Sequence, residues 1–335
     1  YLSSLEGGPS TRRDIASFRL CQDLKPHRPE DVAAGLQAFT ENLLLEYLDR
    51  NSFTRPLMCF AGGVFANVRL NMRIRTELPG VRQVFVYPNM GDAGLCAGAA
   101  ALAVREVGAL HISCPRGSVF LGPHFAADEL RQSLGKEYQS AVELQNENEF
   151  AEAVAVHLHA GRVVGCFYGA MEFGPRALGH RSLLVRATDP DISASLNTRL
   201  HRTDFMPFAP VTLRARASEA YEGWDPTDLE AGLYMSMCYE ATPAMRELCP
   251  AVVHLDGTAR PQVVDERDGL YFKILERYAA TSGVHTLINT SFNLHEEPIV
   301  CSPKDALAAF RGGACDVLAM FPFLITPAAL QIPGT

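Results

Sequence analysis

The chain has 335 residues, enough for about two domains that each bury a core. Its 30 basic and 38 acidic residues leave a net charge of −8, which disfavours a nucleic-acid partner and confines any anion site to a local pocket. No apolar run approaches the ~20 residues that cross a bilayer, and no secretory signal is recognisable. The nine cysteines form no C-x-x-C pair, which is typical of thiols in a reducing compartment. We therefore expect a cytoplasmic protein without a membrane partner.

Hydrophobic periodicity predicts an α/β order in the first third of the chain. Helical spacing alternates there with short apolar runs, and Gly108 stands where the last helix should end. The predicted elements are a helix at 29–51, a strand at 56–60, a helix at 65–77, a strand at 81–87 and a helix at 93–107. The periodicity lapses between 110 and 122, which we interpret as a linker between domains.

A second α/β region follows the linker. The predicted helices lie at 126–134, 147–159, 270–280 and 304–311, and the predicted strands at 162–168, 182–186, 284–288 and 317–321. A polar, glycine-rich segment joins the first two of these strands. No internal repeat or low-complexity tract interrupts the region.

Two glycine-framed turns each follow a predicted strand and precede a predicted helix. Gly62 and Gly63 form the first turn, where glycines let backbone N–H groups approach a phosphate, although a tight turn without a ligand is the simpler explanation. Asp92 lies in the second turn, where it can ligate a metal or cap the helix, and the cap is favoured by itself. The two turns together support a nucleotide cleft.

The segment 171–182 has the highest density of side chains that could bind a ligand or take part in catalysis. It holds Glu172, Arg176, His180 and Arg181 on a backbone opened by glycines. A loop that binds a planar oxyanion needs arginine forks on a backbone that can come close to the ligand. Solvated surface arginines are the alternative, but the flanking apolar side chains imply partial burial, and a buried unpaired arginine is costly. We therefore favour ligand binding.

Two further arginine-bearing segments are predicted to be mainly solvated. Arg199 and Arg202 lie three residues apart, so they would share one face of a helix just before a rigid apolar stretch at 207–210. The segment 254–262, H-L-D-G-T-A-R-P-Q, is interpreted as a glycine turn with Arg260 at the surface.

Polar side chains end the strand predicted at 284–288. Asn289, Ser291 and Asn293 follow its apolar residues, and ligands of open α/β sheets sit at such strand ends. Amides and hydroxyls there can bind a nucleotide or a carbamoyl-like group. A turn stabilised by these side chains explains them equally well.

Taken together, these segments resemble the carbamoyltransferase family that includes the nodulation-factor, cephem, ansamycin and tobramycin O-carbamoyltransferases. The matching stretches recur in family order across nearly the whole chain, and the third and last are the most specific. They are A-G-G-V-F-A-N (61–67), G-D-A-G-L-C-A-G-A-A (91–100), M-E-F-G-P-R-A-L-G-H-R-S (171–182), F-M-P-F-A-P (205–210), H-L-D-G-T-A-R-P-Q (254–262) and N-T-S-F-N (289–293) with E-P-I-V-C (297–301).

The resemblance implies an α/β protein made of two linked folds. Residues 1–110 would be the C-terminal part of a TsaD-like carbamoyl-transfer domain of the sugar-kinase/actin (ASKHA) superfamily, and 111–120 a linker. Residues 121–335 would be a YrdC-like domain that forms carbamoyl-adenylate from ATP and carbamoyl phosphate. The carbamoyl group would then pass to a hydroxyl of a small molecule or glycoside. The resemblance leaves both the acceptor and the oligomeric state open, with a homodimer as one alternative.

The resemblance also implies roles for individual residues. Three arginines would stabilise the reacting anions: Arg176, Arg181 and Arg202. The nucleotide would be held by a mostly polar set: Gly62, Gly63, His180, Arg199, Asn289, Ser291 and Asn293. Asp92 would ligate a metal, with Fe²⁺ and Mg²⁺ as the candidates.

The sequence departs from the family pattern at the iron site. The family takes iron ligands from an H-x-x-x-H motif upstream of the first glycine turn, and the sequence contains no such motif. The chain also begins at Tyr1 rather than Met, so we expect a fragment or a processed form. Adenylate formation would then be the half-reaction that survives.

Two other functions compete with this one. A tRNA threonylcarbamoyladenosine-type enzyme combines the same domain types, but it should present a basic stripe, which the acidic balance disfavours. A non-catalytic nucleotide-binding module would bind ATP without any dependence on carbamoyl phosphate.

Overall fold

The structure is a computed structural model that describes residues 20, 22–51, 53–108, 119–135, 140–201, 208–225 and 232–327. Within these ranges the chain forms a two-stranded sheet in its first region and an eight-stranded sheet in its second. No helix in the described ranges has the length and apolar character needed to cross a membrane.

The first region follows the predicted α/β order. Its elements are α1 (Pro29–Arg50), β1 (Leu57–Phe60), α2 (Val68–Glu77), β2 (Gln83–Val86) and α3 (Leu95–Glu106). Strands β1 and β2 pair in parallel, as a strand–helix–strand crossover requires. The Asn67 side chain caps α2 by accepting the Leu70 N–H at 3.1 Å, so the α-helix begins at Val68, after the predicted start at 65.

The second region is built on the mixed eight-stranded sheet, in the order β3-β12-β11-β4-β5-β10-β6-β9. Strands β11 and β4 and strands β6 and β9 pair in parallel, and the other neighbours are antiparallel. Its strands are β3 (Ala141–Glu143), β4 (Val164–Phe167), β5 (Arg181–Arg186), β6 (Ala209–Leu213), β9 (Gln262–Val264), β10 (Thr286–Ser291), β11 (Val317–Met320) and β12 (Phe323–Ile325). A separate short pair consists of β7 (Tyr239–Glu240) and β8 (Thr258–Ala259).

Helices cover this sheet and join its strands. They are α4 (Ala127–Leu134), α5 (Glu147–His159), α6 (Ile192–Arg199), α7 (Ala217–Ala220), α8 (Pro243–Leu248), α9 (Leu270–Ser282) and α10 (Pro303–Arg311). Helices α5 and α9 pack against each other, with α5 on β4 and β5 and α9 on β6 and β10. Phe150 and Ile274 are fully buried in this layer.

Several strands were not predicted, and β6 shows why. Pro210 lies inside β6, paired with Ile288 of β10, although proline in a strand interior is rare because it lacks a ladder donor. The sequence signal therefore indicated a rigid stretch instead of a strand. Residues 109–118, which include most of the predicted linker at 111–120, lie outside the described residues.

Helix α2 joins the two regions. Leu70 and Ile74 are fully buried, and the Asn71 side chain donates to the Ser236 carbonyl at 2.7 Å. The Cys238 N–H donates to the carbonyl of Val68 at 3.1 Å. These contacts seat the first region on the loop that precedes β7.

The buried imidazole of His157 makes the stability of the fold depend on pH. Its Nδ1 lies 2.6 Å from Nη1 of Arg162, and burial together with that charge lowers the His157 pKa from 6.5 to about 4. Because the folded pKa lies below the unfolded one, the stabilising contribution is complete above pH 6.5 and is lost as pH falls through about 4. We expect the loss over this window to reach about 3 kcal/mol.

Urea unfolding at ~pH 7.5 and ~pH 5 measures the part of this loss that falls above pH 5, about 2 kcal/mol. His157→Gln should flatten the pH dependence. His159→Gln, on the exposed side of the same helix, is the matched control and should keep it. Equal slopes for the unmodified chain and His157→Gln would contradict the assignment.

Candidate active site

The loop between β4 and β5 is organised around the carboxylate of Glu172. Its Oε1 accepts the backbone N–H groups of Leu178 at 2.7 Å, His180 at 2.9 Å and Arg181 at 3.2 Å. The Glu172 side chain is buried, where charge-assisted hydrogen bonds are strong. The loop therefore folds back on its own carboxylate, and Leu178 is buried as predicted.

Arg181 closes the same loop at its C-terminal end. The guanidinium is fully buried and stacks 3.9 Å from the ring centroid of Phe167. It donates to four backbone carbonyl oxygens, those of Tyr168 (2.9 Å), His180 (3.0 Å), Pro123 (3.2 Å) and Gly169 (3.3 Å). Burial lowers the pKa of Arg181 to about 10. The sequence predicted that Arg181 contacts a phosphate. In the structure its guanidinium binds backbone carbonyl oxygens instead.

A buried amide network supports the loop from the sheet. The Asn289 side-chain amide donates to Oε1 of Gln262 at 2.7 Å and to the Ala177 carbonyl at 3.2 Å. The Gln262 amide in turn donates to the Leu178 carbonyl at 2.8 Å. Asn289 is thereby brought to the β4–β5 loop that carries Arg176, which we call the arginine loop. Its Oδ1 is buried without a partner among the described residues.

Two glycines let the loop approach its neighbours closely. Gly179 has φ 119°, and a Cβ there would lie 2.5 Å from the Tyr271 ring. Gly174 has φ 152°, and a Cβ there would lie 3.1 Å from the carbonyl oxygen of Pro88 in the first region. A side chain at either position would strain the backbone and displace the loop.

Arg176 and Arg260 form an uncompensated pair of cations. Nε of Arg176 and Nη1 of Arg260 are buried, and neither has a hydrogen-bond partner among the residues that the structure describes. Burial lowers the pKa of Arg176. Burial lowers the pKa of Arg260 to about 10, and the charge of Arg176 contributes to that shift. The thiol of Cys238 lies near both guanidinium groups. Two desolvated like charges without a carboxylate are a chemical environment that an anion would stabilise.

The residues after β10 stay close to the loop. Ser291 pairs with Ser182 in the β5–β10 ladder, and Phe292 N–H donates to the Arg181 carbonyl at 3.0 Å. The Asn293 side chain donates to the carbonyls of Leu294 and Glu297, each at 2.9 Å. Its Oδ1 is buried and unpartnered within the described ranges.

Two other residues that were predicted to contact the nucleotide, Arg199 and His180, bind groups of the protein itself. Arg199 forms a bidentate pair with Asp316 (2.6 and 3.1 Å), and its Nε donates to the Gly313 carbonyl at 2.6 Å. The His180 ring stacks on Phe120 at 3.9 Å, and its Nδ1 lies 2.7 Å from the Ala170 carbonyl. Arg202 lies outside the described residues.

The glycine turns of the first region line a separate cavity of about 1230 Å³. Gly62 and Asp92 both border it, and the Gly62 N–H already donates to Met90 at 2.7 Å. Gly63 begins a short 3₁₀ helix, Gly63–Ala66, and is exposed.

The described residues do not form a metal centre around Asp92. No group of three or more His, Cys, Asp or Glu side chains that could hold a metal occurs in the described ranges, and Asp92 itself is exposed. A single exposed carboxylate does not supply the ligand set that Fe²⁺ or Mg²⁺ requires. No chemistry is therefore assigned to a metal held by this chain.

Sequence reasoning missed part of the site. Arg260 was expected at the surface, and this was wrong: the structure buries its guanidinium. Its Nη1 has a solvent-excluded position, and Gln262, two residues on, supports the arginine loop. The available signal was Ala259 before Arg260 and the apolar pair Val263 and Val264 after it. The Asp256 turn was predicted correctly, since its Oδ1 accepts the Thr258 N–H at 3.0 Å.

Comparison with known proteins places this arrangement in a family. The sequence matches the family profile described as Carbamoyltransferase C-terminus over residues 155–326 and that described as Carbamoyltransferase N-terminus over 11–101. The C-terminal match contains Glu172, Arg176 and Arg260 and covers more than half of the chain. The chain belongs to the carbamoyltransferase family.

Several curated carbamoyltransferase relatives are about one-third identical to the chain. The uncharacterized protein MJ1058 of Methanocaldococcus jannaschii is 33% identical, over 87% of this chain and 48% of its own length. Nodulation protein NolO of Bradyrhizobium diazoefficiens is 32% identical, over 97% and 60%. Nodulation protein U of Rhizobium tropici is 32% identical, over 88% and 48%. This carbamoyltransferase chain thus spans about half of the length of most of these relatives.

A solved structure also shows partial similarity to this carbamoyltransferase. Full-length HypF in its phosphate- and nucleotide-bound form aligns with 50% of this chain and 24% of its own, at 21% identity and a TM-score of 0.36.

Removing the Glu172 carboxylate should destabilise the carbamoyltransferase fold. Glu172→Ala leaves three buried backbone N–H groups without an acceptor, so we expect a loss of about 3 kcal/mol or more in the free energy of unfolding. Chemical denaturation measures it. Glu266→Ala, at an exposed position, is the control and should change stability by less than about 0.5 kcal/mol. A Glu172→Ala variant as stable as the control would show that the loop does not depend on this carboxylate.

Proposed function

We propose that the second region forms carbamoyl-adenylate from carbamoyl phosphate and ATP at the Arg176–Arg260 site. The carbamoyl group then passes to a hydroxyl of a small molecule or glycoside. The observation that carries this proposal is the pair of buried guanidinium groups without a carboxylate partner in the described part of the chain. Membership of the carbamoyltransferase family supports the same reaction class.

The proposed chemistry needs stabilisation of anions. Water releases phosphate from carbamoyl phosphate and leaves carbamate, whose oxygen attacks the α-phosphorus of ATP while pyrophosphate departs. Negative charge spreads over phosphoryl oxygens during both steps, and guanidinium donors fixed beforehand stabilise it without reorganisation. Arg176 and Arg260 supply such donors, since Nε of one and Nη1 of the other are unpaired. The acceptor hydroxyl finally attacks the carbamoyl carbon, and AMP leaves.

The other predicted site residues divide into two roles in this proposal. Asn289 and Asn293 each carry a buried, unpartnered Oδ1, which suits hydrogen-bond donors of the adenylate such as ribose hydroxyls or an adenine amino group. Ser291 lies beside them on β10. Arg181 acts as a positioning residue, because its guanidinium donates to three carbonyls of the loop that carries Arg176 and to the carbonyl of Pro123. Arg202 is retained as a further anion clamp.

The first half-reaction is tested by exchange of labelled pyrophosphate into ATP in the presence of carbamoyl phosphate. Arg176→Ala and Arg260→Ala should each lower the exchange rate by about 10²–10³-fold, the cost of removing one oxyanion donor. The matched control is Arg216→Ala, because Arg216 is exposed and pairs with Glu219 three residues away. Circular dichroism would verify that each variant is folded.

Two results would contradict the proposal. Exchange independent of carbamoyl phosphate would indicate a different co-substrate. Near-normal exchange in both arginine variants would remove the cation pair from the reaction.

A further inference from the structure

The turn that leads into β8 holds the imidazole of His254 in a fixed position. The His254 N–H donates to the Thr258 carbonyl at 2.7 Å, and the Gly257 N–H donates to the His254 carbonyl at 2.9 Å. Gly257 has φ 83°, and a Cβ there would lie 2.6 Å from Nη2 of Arg246, so the turn requires glycine. The side chains of this turn are thus held close to one another.

Asp256 in the same turn is bound through both of its carboxylate oxygens. Its Oδ2 accepts from Nη1 of Arg69 on α2 at 2.5 Å, and its Oδ1 accepts the Thr258 N–H at 3.0 Å and the Thr258 hydroxyl at 2.7 Å. Because an ionised carboxylate only accepts, the single hydroxyl proton of Thr258 lies on the bond to Asp256. The hydroxyl oxygen, 3.0 Å from Nδ1 of His254, therefore accepts from an Nδ1–H group.

This hydrogen bond leaves the other ring nitrogen of His254 as an acceptor. A neutral imidazole that carries its proton on Nδ1 has a lone pair on Nε2, and Nε2 has no hydrogen-bond partner among the described residues. Burial lowers the pKa of His254 below its usual 6.5, and the charge of Arg260 acts in the same direction while that of Asp256 opposes it. The imidazole is therefore neutral near pH 7, as a general base must be.

His254 lies beside the cation pair and borders a cavity. Arg260 follows Thr258 by two residues, and its charge acts on His254. The thiol of Cys238, which lies near both guanidinium groups of the pair, also contacts the Thr258 side chain. Together with Arg246, His254 lines a cavity of about 360 Å³, a volume that suits a small ligand. A basic nitrogen, a guanidinium and a cavity therefore lie close to one another.

We propose that Nε2 of His254 is the general base that activates water against carbamoyl phosphate, an assignment that rests on the proposed function. The water oxygen bonds to phosphorus while one water proton passes to Nε2. The bridging P–O bond breaks and its electron pair leaves on carbamate, so the products are carbamate, hydrogen phosphate and an imidazolium. The imidazolium then returns its proton to the phosphate. Arg260 stabilises the phosphoryl oxygens, and Thr258 and Asp256 act as positioning residues that fix the ring and its tautomer.

Two assays separate this step from the next one. Phosphate release from carbamoyl phosphate in the presence of ATP measures the step, and exchange of labelled pyrophosphate into ATP measures adenylate formation. His254→Gln should lower phosphate release by about 10²-fold or more, the contribution of a general base. Ammonium carbamate, supplied in place of carbamoyl phosphate, provides the product of the step directly. Exchange supported by carbamate should therefore stay within about twofold in this variant, whereas exchange supported by carbamoyl phosphate should be lost.

Variants of Thr258 test the positioning role. Thr258→Val removes the acceptor of the Nδ1–H group and should lower phosphate release at least about tenfold, whereas Thr258→Ser keeps the hydroxyl and should restore most of the rate. The matched control is His159→Gln, because His159 is exposed on α5 and should leave phosphate release unchanged. Circular dichroism verifies that each variant is folded.

Four results would overturn the assignment of His254. They are no phosphate release by the unmodified chain, near-normal release by His254→Gln, equal loss of both kinds of exchange in that variant, and a Thr258→Ser variant no faster than Thr258→Val. Phosphate release that requires His254, in a chain that shows no exchange with either co-substrate, would support the base and contradict adenylate formation. The failure of this inference and that of the proposed function are thereby distinguishable.

Discussion

Two positive charges held together away from water set the main constraint on the second region. Like charges repel more strongly where water is excluded than in bulk solvent, and the desolvation of each ion adds to that cost. The lowered pKa values of Arg176 and Arg260 express this unfavourable environment. The rest of the fold must therefore be stable enough to hold these two charges. In the proposed function this local loss of stability serves anion binding.

The other charged side chains of the loop form hydrogen bonds with backbone groups and do not neutralise the cation pair. Glu172 is the nearest carboxylate within the loop sequence, yet it accepts three N–H groups. Arg181 likewise donates to carbonyl oxygens instead of pairing with a carboxylate. If Glu172 instead neutralised Arg176, the loop would lose its internal acceptor and the site would lose its charge. Glu172 and Arg181 thus stabilise the loop backbone, and Arg176 keeps its charge without a carboxylate partner among the described residues.

The sequence predicted local features well because their causes are local. Helix α5 has the predicted bounds, Glu147–His159, since Asn146 caps it and apolar residues repeat at helical spacing. The glycine-opened loop at 171–182 was also predicted, because its arginines require a partner when buried and its glycines allow the backbone to come close to a ligand. Arg260 and Gln262 were missed because their importance arises from the pairing of β9 with β6, which brings distant segments beside the loop. Pairing across such separations leaves no periodic trace in either segment. Likewise, Arg199 shows no sequence signal for its partner Asp316, which lies in a different element.

The first region contacts two segments that neighbour the cation pair. Helix α2 holds the Cys238 backbone through Val68, and the Cys238 thiol lies near both arginines. On another side, Gly174 of the arginine loop lies against Pro88, just after β2. A glycine is required there because any side chain would push the loop away from the end of that strand. The position of Arg176 therefore depends on how the first region is packed. Because close-packed contacts of this kind transmit displacement, a change in the packing of the first region bears on the geometry of the arginine site as well as on the stability of that region.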